Sequence, residues 1–89
     1  MLGKFITLEG IEGSGKSSNL ECISNILEEY SIEFIVTKEP GGGPLGEDLR
    51  STLLNKNTVI SSEAELLLMM ADRKDHIDNL ITPNLQKGI

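Results

Sequence analysis

Between Leu8 and Ser18 the chain reads LEGIEGSGKSS, with glycine at 10, 13 and 15 and lysine at 16. Gly10, Gly15, Lys16 and Ser17 satisfy G-x-x-x-x-G-K-[ST], the spacing of a phosphate-cradling P-loop. Each residue type has a reason to be there. Glycines let successive backbone N–H groups close around a phosphate chain that a Cβ would hold off. The helix that follows turns its positive N-terminal end toward the same anion. The spacing places Lys16 to reach the β- and γ-phosphates of a nucleoside triphosphate, and the Ser17 hydroxyl to ligate Mg²⁺. The candidate cofactor-binding set is therefore Gly10, Ile11, Glu12, Gly13, Ser14, Gly15, Lys16, Ser17 and Ser18. Glu12 is the odd member, a carboxylate beside a polyphosphate. Three readings stay open for it: it faces the metal, it faces a second substrate's hydroxyl, or it is a solvated loop residue.

A cradle of this kind needs a strand before it and a helix after it, and both are written in the neighbouring residues. Phe5-Ile6-Thr7-Leu8 is a β-rich run that stops at Gly10, which predicts a strand over 4–9 and the loop over 10–17. Leu20, Ile23, Leu27 and Tyr30 fall on one helical face, predicting a helix over 16–30. EFIVTK predicts a second strand over 33–38, apolar on both faces as in a covered parallel sheet. Strand, helix and strand in this order form a βαβ unit. EPGGGPLG is a loop over 39–44. Leu45, Leu49 and Leu53 predict a helix over 45–55. Ser62-x-x-Glu65 reads as a capping box opening a helix over 62–87, with Leu66, Leu67, Met70, Ile77, Leu80 and Ile81 inward. Pro83 has no N–H for the carbonyl of Asn79, so a kink or break is expected there. The fold class is α/β: a parallel sheet of P-loop NTPase type flanked by helices, with two strands and about three helices present.

The bulk composition narrows the partners. Eighty-nine residues make one small domain, with 38% hydrophobic and 25% charged residues, so the chain is globular in composition. A net charge of −6 repels nucleic acid and anionic membranes, and leaves phosphate binding to local geometry. The apolar run Leu66 to Ala71 is too short to span a bilayer, and Glu9 interrupts any secretory leader. A cytoplasmic protein is expected. The lone Cys22 excludes a disulfide framework and reads as a small core residue. His76 lies one turn beyond Asp72, and a simple pairing with it is a plainer reading than a catalytic histidine.

Three blocks, FITLEGIEGSGKSS, TKEPGGGPLGEDLR and SSEAELLLMMADRKDHI, resemble in order and spacing the N-terminal part of bacterial thymidylate kinases. The second approaches the family signature T-R-E-P-G-G, and the third its E-[AL]-x-L-[LF]-F-A-A-[DS]-R segment. The resemblance implies phosphorylation of dTMP to dTDP, toward dTTP synthesis, with ATP as donor and Mg²⁺. It also implies a five-stranded parallel sheet and a homodimer. Lys16 and Glu12 become the catalytic candidates, Glu12 by contacting the sugar 3′-hydroxyl of dTMP. Glu39 and Pro40 fall in the loop shaping the dTMP pocket, where the bond before the proline is often cis. Arg73 matches an arginine that contacts thymine, and Arg50 one that several members keep. Met69 stands where a phenylalanine commonly stacks on the base, Lys38 where arginine is usual, and Gly43 where threonine is.

The resemblance covers nearly all of this chain but only about two-fifths of a usual member. In the family a further strand runs between the two read here, and it follows directly after QKGI. The 89 residues alone are therefore expected to be an incomplete and inactive portion. Two alternatives remain at this point: another P-loop nucleoside or nucleotide kinase, or a non-catalytic nucleotide-binding fragment.

Overall fold

The computed structural model describes residues 2–10, 13, 15–55, 57 and 59–89. Among the described residues four helices and one π-helical turn carry the regular structure: α1 Lys16–Glu29, α2 Gly46–Leu54, α3 Ser62–His76, the π turn Ile77–Ile81, and α4 Thr82–Gln86.

The expected parallel sheet is absent: among the described residues there is no strand. The two runs read as strands, 4–9 and 33–38, are irregular backbone. A strand exists only through its ladder of hydrogen bonds to a neighbour, and neither run has one. Gly3 is tied to the carbonyl of Leu85 (2.8 Å), and no other backbone bond links residues 2–10 to the rest of the described chain. Both runs also leave most of their apolar side chains in water, with Phe5 59%, Ile6 64% and Val36 54% exposed. High β-propensity without a partner does not make a sheet.

Helix α1 begins at Gly15 and ends in a Schellman arrangement. The N–H of Ser31 bonds the carbonyl of Glu28 (3.0 Å) and that of Ile32 the carbonyl of Leu27 (2.9 Å). Ser31 takes the left-handed φ of 55° that this motif requires. The helix packs against no other helix among the described residues, and none of its residues is buried. Cys22, expected in a core, is exposed for the same reason.

Helix α2 packs against α3, and the face of α3 turned inward differs from the one its apolar residues suggest. Leu66, Leu67, Met70 and Ile77 are exposed, while Ala64 and Leu68 are half-buried and Asp72 and His76 buried. The stretch from Ala64 to Ala71 is apolar nearly all round, so periodicity alone does not select its buried side. The α3 cap also shifts by one residue. Ser61, not Ser62, is the N-cap: its Oγ accepts from the N–H of Ala64 (3.1 Å). Starting there adds the bond from Glu65 N–H to the Ser61 carbonyl (2.9 Å). Glu63 and Glu65 occupy the first turn, where the helix dipole favours them.

The break expected at Pro83 falls just before it: α3 ends at His76, and a π turn leads into α4. The chain meets the proline's missing donor with the π turn, in which Thr82 N–H reaches back five residues to the carbonyl of Ile77. Pro83 then sits in the first turn of α4, where no donor is required. Ile81, in the π turn, is the one buried hydrophobic side chain among the described residues. Such burial contributes about 2 kcal/mol.

Candidate functional site

The loop from Thr37 to Leu45 lies along the last two turns of α3, and four side chains of that helix grip it. Asp72, 1% exposed, accepts the N–H of Gly41 on Oδ1 (3.0 Å). Asp75 accepts the N–H of Leu45 on Oδ2 (2.9 Å). Arg73 donates through Nε to Glu39 Oε1 (2.9 Å). His76, 3% exposed, pairs through Nδ1 with Glu39 Oε2 (2.8 Å) and through Nε2 with Thr37 Oγ1 (2.7 Å). From the other side, Arg50 of α2 donates through Nη1 to the carbonyl of Pro40 (2.9 Å). The Glu39–Pro40 bond is cis, as the resemblance implies.

The glycines of EPGGGPLG are room for this grip. A Cβ on Gly42 would collide with the His76 ring and the Thr37 hydroxyl. An alanine there would displace the imidazole that the loop is built around.

Electrostatics concentrates on Glu39. Its partial burial pushes the carboxyl upward, but the hydrogen bonds and charges of His76 and Arg73 outweigh that and hold its pKa below the ordinary 4.5. Both carboxylate oxygens are used: one for the imidazole, one for the guanidinium.

At the start of α1, Gly13 and Gly15 have φ of 82° and 91°, values that side chains rarely adopt. Among the described residues nothing lies within 4 Å of where a Cβ would project from either. Gly15 supplies no capping side chain, and the first intrahelical bond is from Asn19 N–H to the Gly15 carbonyl (3.0 Å). The N–H groups of Lys16, Ser17 and Ser18 are thus the orphan donors of a helix start. Among the described residues the approach is open and the donors uncapped, which fits a phosphate group, and the Ser17 hydroxyl stands at the same turn. Ile11, Glu12 and Ser14 lie outside the described residues. An open cleft of about 460 Å³ joins this helix to the loop, reaching from Leu20 across Thr37 to Gly41 and Gly42.

The family model for thymidylate kinases matches residues 8–89. The chain belongs to the thymidylate kinase family. It is 48% identical over its whole length to a thymidylate kinase of Carboxydothermus hydrogenoformans, covering 44% of that protein. Against a thymidylate kinase of Nitrosospira multiformis it is 49% identical over 99% of the chain and 43% of the relative. Against one of Methylobacillus flagellatus it is 50% identical over 99% of the chain and 42% of the relative. The chain thus spans less than half the length of these curated thymidylate kinases.

Of the residues expected on the substrate side from the resemblance, Glu39, Pro40, Arg50 and Arg73 are joined by two hydrogen bonds into one cluster. Met69 lies one turn before Arg73 on α3 and is 45% exposed. Gly10, Gly13, Gly15, Lys16, Ser17 and Ser18 are all exposed, and none of them belongs to this cluster. Sequence reasoning missed the parts played by Asp72, Asp75 and Thr37, and misassigned His76 to Asp72. The available signal was the spacing of Asp72 and His76, which places two polar groups one turn apart on one face of α3.

Proposed function

We propose that these residues form the phosphate cradle and the dTMP side of a thymidylate kinase site, working in ATP-dependent, Mg²⁺-assisted phosphorylation of dTMP to dTDP. The observation that carries this reading is the cluster in which Arg73 holds the Glu39 carboxylate and Arg50 holds the Pro40 carbonyl. In it two guanidinium groups are anchored to one loop, an arrangement suited to a planar, carbonyl-bearing base and its phosphate. At the other end, the orphan N–H groups of Lys16, Ser17 and Ser18 receive the donor's phosphates. The Lys16 ammonium neutralises charge that builds on the transferred phosphoryl group, and the Ser17 hydroxyl would hold Mg²⁺, which would supply further charge neutralisation. Catalysis is then positioning and electrostatics, with no covalent intermediate on the chain. Glu12 holds the sugar 3′-hydroxyl of dTMP, and Met69 packs on the base through its polarisable sulfur.

The test is ADP release by a protein carrying this segment, with ATP, Mg²⁺ and in turn dTMP, dUMP, dCMP and AMP. Preferred turnover of dTMP supports the reading, and preference for another nucleotide refutes it. Lys16→Ala should lower kcat by about a hundredfold or more, and a variant keeping a third of native kcat removes Lys16 from the mechanism.

A further inference from the structure

The His76 side chain is the chain's single imidazole, almost completely buried, with both ring nitrogens engaged. Neither partner is its helix neighbour Asp72, which is occupied by Gly41. Both belong to the loop, two residues apart. Glu39 in turn divides its oxygens between His76 and Arg73, residues three apart on the same side of α3. The result is an unbroken series of polar contacts: Thr37 hydroxyl, imidazole, carboxylate, guanidinium. Its last member is the exposed one, with the Arg73 side chain 59% accessible while the imidazole is 3%. Arg73 is held through Nε, which leaves the fork of terminal nitrogens as its ligand-facing edge.

We propose that His76 is a positioning residue, which orients the Glu39 carboxylate so that Glu39 holds Arg73 in one binding-ready direction, with Thr37 setting the imidazole. This rests on the reading of Arg73 as a dTMP contact. A long exposed arginine loses much rotamer freedom when it binds a ligand, and anchoring Nε beforehand removes part of that loss. The ring nitrogens have separate duties: Nδ1 faces the carboxylate, and Nε2 faces the hydroxyl.

Asparagine and glutamine separate those duties, because the Asn amide nitrogen falls near the Nδ1 position and the Gln amide near Nε2. The first readout needs no substrate: exchange of the Arg73 Nε–H proton with water, followed by ¹⁵N-resolved NMR on the ligand-free protein. We expect His76→Gln to speed that exchange by roughly tenfold, and His76→Asn to remain within about threefold of native. The second readout is kinetic: His76→Gln should raise KM for dTMP by about tenfold while kcat falls less than about threefold, and His76→Asn should restore most of the KM. Native exchange and native KM in His76→Gln overturn the proposal. So does an Asn variant as impaired as the Gln one, which would mean that His76 only fills space. If neither variant folds, Thr37→Val decides: Nε–H exchange about threefold faster supports the series of contacts, and native exchange refutes it. If native protein does not turn over dTMP, the functional reading fails while the exchange measurement still judges the positioning role.

Discussion

Glu39 carries a charge that two side chains of α3, the His76 imidazole and the Arg73 guanidinium, reach from one side. Its carboxyl is held below the ordinary 4.5, because His76 and Arg73 outweigh the upward push of burial. A depressed acid stabilises the fold fully above its unfolded pKa, and that contribution is lost as pH falls through the folded value. The loop's grip on α3 should therefore be complete above the ordinary carboxyl value of 4.5 and fade as the pH falls below it. Thermal midpoints of native protein and Glu39→Gln, measured over that range, should differ at the top and converge at the bottom. A constant difference would show that Glu39 contributes nothing through its charge. At this scale the site was half legible. Glu39, Pro40, Arg50 and Arg73 follow from resemblance to a known pattern, and each is in the cluster. The use made of Asp72 and His76 could not be read, because their spacing is satisfied by pairing with each other. Nothing local in ADRKDHI says that the true partners lie more than thirty residues earlier.

Helix ends and loop docking obey different rules, and the difference decides which elements a sequence reveals. An α-helix closes its hydrogen bonds within itself, so α1, α2 and α3 leave a period in LECISNILEEY, LGEDLRSTLL and SEAELLLMMADR. The ending of α1 is local too, though serine at 31 disguises it. Ser31→Gly should stabilise the chain by about 1 kcal/mol, read as a higher urea midpoint, by removing the strain of a left-handed serine. An unchanged midpoint would mean that the turn is already relaxed. A docked loop, in contrast, is nonlocal. Asp72→Ala leaves the Gly41 N–H without its acceptor, a loss of about 1–3 kcal/mol. Hydrogen exchange should then show Gly41 deprotected, with Leu45 following less, since Asp75 still holds it. Protection of Gly41 unaltered by the substitution would move its anchor elsewhere. The two runs read as strands failed for the same nonlocal reason: propensity sits in the run, but pairing requires a second segment.

As a whole the molecule is open. Its accessible surface is 7023 Å², where a compact protein of this mass exposes about 5,100 Å². Its radius of gyration is 15.0 Å, against about 12 Å for a compact chain of this length. The shortest dimension, 16 Å, is little more than the roughly 10–12 Å of one helix with its side chains. One layer of structure has no second layer to bury against. Unfolding the 89 residues alone in urea should therefore give a shallow transition, with an m-value below about 1 kcal/mol/M, because little surface remains to be exposed. A steep transition would show that the chain packs more tightly than this.

The same openness has a consequence for how the chain behaves in a crowd. FITL and EFIVT are short, apolar, free of proline and unpaired, with their backbone groups available to any strand that approaches. Copies of the chain are such strands. What keeps them apart is the shared charge of −6, a repulsion that dissolved ions shorten from about 10 Å at 0.1 M to 3 Å at 1 M. Raising the salt should turn a clear solution into one that binds thioflavin, and a lysine placed at Ile6 or Val36 should keep it clear.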